Sequence, residues 1–99
     1  MAHFIISFRI KSDDTYQERY DSFIQRIAEI SKEGAWEETS SFYALEADGN
    51  AESVCQDLWL KSKFNAHLDV MLVIDVHNRE KATKGEIKYP NTLARCLGF

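Results

Sequence analysis

The sequence predicts an α+β domain, a sheet carrying two helices in a two-layer sandwich. Three observations carry that expectation. Residues 3–10 alternate apolar and polar with period two, residues 15–33 carry an apolar stripe of helical period, and Val70–Val76 is a continuous apolar run. The chain has 99 residues, 44% of them hydrophobic, with 1 Pro and 4 Gly, which fits one domain with one core and excludes disordered and collagen-like classes.

The first strand is read from Phe4, Ile6, Phe8 and Ile10 on one face against Ile5, Ser7 and Arg9 on the other. A polar turn, Lys11-Ser12-Asp13-Asp14, follows. Thr15 and Glu18 have the spacing of a capping box, and Tyr16, Tyr20, Phe23, Ile27 and Ile30 then recur at steps of three and four. That pattern predicts a helix from about Thr15 to Glu33, stopped by Gly34 in a left-handed cap. Residues 35–47 read as extended, either one bent strand or two strands meeting at a corner near Thr39-Ser40-Ser41. Asp48-Gly49-Asn50 is a loop whose Asn50 caps a second helix with an inner stripe of Ala51, Val54, Cys55, Leu58 and Trp59. Val70–Val76 is then a strand buried on both faces or lying at a subunit interface.

Residues 79–99 differ in character. Arg79, Lys81, Lys84 and Lys88 make a basic stretch, Glu86–Tyr89 reads as a short edge strand ended by Pro90, and Asn91 begins a last turn with Leu93, Ala94 and Leu97. The order strand, helix, strands, helix, strand is the β-α-β-β-α-β motif of the ferredoxin-like fold, with residues 1–78 as its core and 79–99 as a C-terminal extension. Such a sheet leaves one face open, and an apolar open face is simplest to cover by a two-fold homodimer.

Net charge is −4, so the chain lacks the Lys/Arg surplus that non-specific nucleic-acid binding requires, although a local basic patch remains compatible with it. Cys55 and Cys96 are far apart and form no ligand cluster with His3, His67 or His77; they read as reduced thiols of a cytoplasmic protein. The N-terminal apolar run is short, lacks a basic lead and breaks at Arg9, so neither a secretory signal nor a membrane span is expected.

Over residues 3–77 the chain resembles the small CRISPR-associated dimer proteins of the spacer-adaptation complex and their toxin relatives, the virulence-associated protein D ribonucleases. The resemblance rests on Phe8-Arg9 at the end of the first strand, on Trp36, Ser40 and Phe42 after the first helix, and on the acidic-capped second helix followed by Val70–Val76. It implies a homodimer in which the segment after the last core strand, here Glu86–Tyr89, crosses to the partner sheet. It also implies a divalent metal held by paired aspartates at the end of the first strand. Arg9 stands at that position, and a cation does not ligate a cation.

The expected function is therefore a non-catalytic dimeric module binding a protein or nucleic acid, with no metal or other cofactor. Arg9, with Ser40, is the candidate phosphate contact, since a guanidinium matches a phosphate bidentately; the competing role for Arg9 is an ion pair with Asp13 or Asp14. A small endoribonuclease (an mRNA interferase toxin) is the first alternative. It would use Asp13 and Asp14 with Mg, or His77 as a general base. The second is an acidic protein-binding regulator presenting Glu37, Glu38, Glu46, Asp48, Glu52 and Asp57.

Overall fold

Period-two alternation fixes which side of the sheet is buried. In a computed structural model, which describes residues 2–99, β1 spans Ala2–Arg9 and sends Phe4, Ile6 and Phe8 into the core. β2 spans Phe42–Ala47 and β3 Val70–Asp75, each burying alternate side chains. β4, Glu80–Lys84, buries Ala82. The order across the sheet is β2-β1-β3-β4, with every neighbouring pair antiparallel.

Helices α1 (Tyr16–Ile30) and α2 (Ala51–Leu60) cover the Phe4-Ile6-Phe8 face. α1 buries Arg19, Phe23 and Ile27, which are spaced one turn apart, and α2 buries Ala51, Val54, Cys55 and Leu58 as its spacing predicts. Phe8 is the hub, with its ring 4.8 Å from Phe23 and 5.9 Å from Tyr43. Arg26 joins the two helices through a bidentate pair with Asp57 at 2.7 and 2.9 Å. Lys61, one turn on from Asp57, stands farther off at 3.8 Å.

The opposite sheet face is less polar than a solvated face should be. Cross-strand register places Trp36, Ala44, Ile5, Ile74 and Lys81 in one row, and Phe42, Ser7, Leu72 and Thr83 in the next. α3 (Pro90–Leu97) lies along the β3–β4 half of this face. Lys81 Nζ donates to the Phe99 carbonyl at 2.6 Å, Arg79 Nη2 donates to the Gly98 carbonyl at 3.0 Å, and Leu93 shares a cleft with Leu72. The β1–β2 half stays open, with Trp36 45% exposed.

Several local expectations are corrected. α1 stops at Ile30, not Glu33, because the Glu46 carbonyl of β2 captures the Lys32 amide at 2.9 Å and draws the chain out of the helix. Gly34 has φ +86 but lies beyond the cap, which is Ser31. No capping box forms at Thr15: its hydroxyl donates to Asp13, and Glu18 is taken by Lys63. Between α1 and β2 only an isolated bridge, Trp36 to Ala44, stands where a second strand could have formed.

The strand expected at Glu86–Tyr89 lies instead at Glu80–Lys84, paired within the same chain. The Asp75 carboxylate explains the shift. It accepts the backbone amides of His77 and Asn78 and the Asn78 side chain, so the chain reverses directly after β3. α3 starts with Pro90 at its first turn, where a missing N–H costs nothing, and its N-cap is Tyr89 rather than Asn91. No helix is long and apolar enough to cross a membrane.

Candidate functional site

A charged network fixes one end of the sheet. Arg19 is 5% exposed although it is an arginine on a helix, because it stands four residues before Phe23 on the buried stripe of α1. Its Nε and Nη2 donate to Asp69 at 3.0 and 3.2 Å, its Nη1 donates to Asp13 at 2.9 Å, and its Nη2 also donates to the Lys11 carbonyl at 2.9 Å. Asp69, 1% exposed, further accepts the backbone amides of Lys11 and Asn65, each at 2.9 Å. The pair thus ties the β1–α1 loop, α1 and the α2–β3 loop together. Removing either partner would strand a buried charge, so the network acts as a positional clamp.

Gly85 extends the clamp to the C-terminal segment. Its φ is +96, and a Cβ there would lie 2.0 Å from the Asp69 carbonyl oxygen. Only glycine permits this approach, and it sets where β4 ends and where the following residues start across the sheet.

Next to the Asp69 end of the clamp lies an open cleft of about 530 Å³ between the end of β1, the α2–β3 loop and the segment 86–93. Arg9, His67 and Lys88 bring basic groups to it; Leu68, Val70, Leu72, Ile87 and Leu93 bring apolar surface; Tyr89, 71% exposed, stands at the rim. Two acidic residues also belong to its lining. Glu86 is free to face solvent, whereas Asp69 is turned onto Arg19 and two backbone amides.

The candidate residues separate into groups. Arg9 and Ser40 share this end of the sheet: Arg9 closes β1, and Ser40 lies in the exposed turn before β2, which Phe8 holds by donating its amide to the Ser41 carbonyl at 3.2 Å. Arg9 makes no ion pair with Asp13 or Asp14. Asp13 is engaged by Arg19 and Thr15, and the Arg19 hydrogen bond holds its carboxyl below the usual carboxylate range. Asp14 is exposed in the same loop.

His77 sits in the β3–β4 turn at the other end of the sheet, beyond the roughly 17 Å that β3 rises from Val70 to Asp75. Asp13, Asp14 and His77 therefore do not converge. Three of the acidic positions read as a regulator's face, Glu46, Asp48 and Asp57, pair with His3, Lys32 and Arg26. Among the described residues, no group of three or more His, Cys, Asp and Glu side chains is placed to hold a metal ion.

His67 and Lys88 reach the cleft from distant parts of the chain and could not be joined to Arg9 by spacing. Arg19 left a signal: it interrupts the inner stripe at the same helical phase as Phe23 and Ile27. No protein-family model, curated protein or solved structure matches this chain.

Proposed function

We propose that the chain is a non-catalytic binding module that works as a homodimer, built on a ferredoxin-like core and akin to the CRISPR-associated adaptation proteins and virulence-associated protein D toxins. The observation that carries this reading is Arg9. Its guanidinium ends β1 on the open side of the sheet, beside a cleft, without a carboxylate partner among the described residues. A permanently charged, unpaired arginine with Ser40 on the neighbouring turn is suited to a phosphate of a nucleic-acid partner, and it blocks divalent-metal chelation at that point.

The ferredoxin-like assignment gains support from the Trp36 bridge. Counted as a shortened strand, it gives the spatial order bridge, β2, β1, β3, which is what a split β-α-β-β-α-β motif makes, with β4 added at the edge. The homodimer is motivated by the uncovered Trp36, Ala44 and Ile5 row.

The test is an incubation of end-labelled single-stranded RNA and duplex DNA with the protein, with and without Mg or Mn ions. Retarded but intact label, weakened by salt and by Arg9→Gln, is the expected result. Cleavage that appears only when the ion is supplied overturns the reading in favour of a metal-dependent nuclease.

A further inference from the structure

We infer that the cleft beside Arg9 is a binding site for a small organic anion with an apolar body, a carboxylate or a phosphate monoester. The inference rests on the reading of Arg9 as an anion contact but not on the dimer or on a nucleic-acid partner.

Charge selects the sign of the ligand. The basic lining groups are Arg9, Lys88 and, when protonated, His67. Against them stand Glu86 and Asp69, and the Asp69 oxygens already accept four hydrogen bonds from Arg19, Lys11 and Asn65. Asp69 therefore offers little to an incoming cation, while the planar Arg9 fork is open to an oxyanion.

The walls select the rest of the molecule. Leu68, Leu72 and Leu93 present aliphatic surface next to the basic groups, and the volume of about 530 Å³ falls in the range of small-molecule sites. A bare inorganic anion would leave that surface wet; an anion with an apolar tail would cover it.

The position of the cleft makes it a built feature. One wall is the end of β1 and the start of β3, where Asp69 joins the lining and is held from behind by Arg19, and the far wall is the segment that leaves Gly85. That segment is fastened again at Gly98 and Phe99 by Arg79 and Lys81, so the far wall is tethered at both ends.

The experiment is amide chemical-shift mapping of the ¹⁵N-labelled protein titrated separately with hexanoate, hexyl phosphate, inorganic phosphate and hexylammonium. Saturable shifts at Ser7, Arg9, Leu72 and Leu93 are expected with hexanoate or hexyl phosphate, and the tighter of the two identifies the headgroup. Inorganic phosphate and the Arg9→Gln variant should each show binding weaker by about tenfold or more. The inference is overturned if hexylammonium binds the same residues as tightly, if inorganic phosphate matches hexyl phosphate, if Arg9→Gln binds unchanged, or if no shifts saturate at the cleft. Oligonucleotide retention that depends on Arg9 while these probes fail would remove this inference and leave the proposed function standing. Probe binding without oligonucleotide retention would do the reverse.

Discussion

Replacing Asp69 by Asn keeps the side chain's size and removes its charge, which makes it a direct probe of the clamp. One carboxylate oxygen faces the Lys11 amide and Arg19 Nη2; the other faces the Asn65 amide and Arg19 Nε. Whichever way the new amide is turned, its NH₂ points at one backbone N–H and one guanidinium N–H. Two hydrogen bonds are lost and two donors are left facing a donor in a site that is 1% exposed. Losing one partner of a buried ion pair costs about 3–5 kcal/mol. Arg19 keeps Asp13 and the Lys11 carbonyl, so the lower end applies, about 3 kcal/mol. For a domain of this length that corresponds to a fall in Tm of roughly 12–24 °C. Guanidinium denaturation followed by far-UV circular dichroism should show a lower midpoint with an unchanged slope. A loss below about 1 kcal/mol would mean that the network is solvated and does not hold the three segments together.

Gly85→Ala should cost about 2 kcal/mol or more, since it combines φ +96 with a collision at the Asp69 carbonyl; thermal melts that match the parent protein would refute the close approach. Of the two thiols, exposed Cys96 should react at once with a thiol reagent, whereas Cys55, buried and pushed up to about 11, should react only on unfolding; two fast equivalents would contradict the packing of α2. Acid should destabilise the fold. Asp13, Asp57 and Asp75 are held below the ordinary 3.8, chiefly by hydrogen bonds from Arg19, from Arg26 and from the Asn78 amide. Their contribution is complete above the ordinary value and is lost as pH falls through the folded-state values. Tm should therefore drop as the pH falls below about 4, and a flat profile there would refute these bonds.

How much of this was legible in the sequence depends on the range of the interaction. Both long helices, β1 and β3 could be read because their apolar periods and the Asn50 cap are local signals. The helix end at Ile30 and the absent Thr15 cap could not, because each is decided by a distant group: the Glu46 carbonyl and the Arg19–Asp13 pair. β4 was displaced by one side chain, Asp75, which looks like the polar end of a strand and turns out to nucleate the reversal. At the site, Arg9 stood out because of its position at the end of β1, and Ser40 lies in the turn that the Phe8 amide holds at the same end of the sheet. His67, Lys88 and the clamp beside them depend on contacts across dozens of residues, which no spacing encodes.

Sedimentation equilibrium at tens of micromolar tests the central claim, a dimer formed over the open sheet row, most directly. A mass of twice 11.5 kDa is expected, falling to the single-chain value when Ile5→Glu places a charge in the middle of that row. A parent protein that sediments as a single chain, or a dimer indifferent to Ile5→Glu, would contradict it.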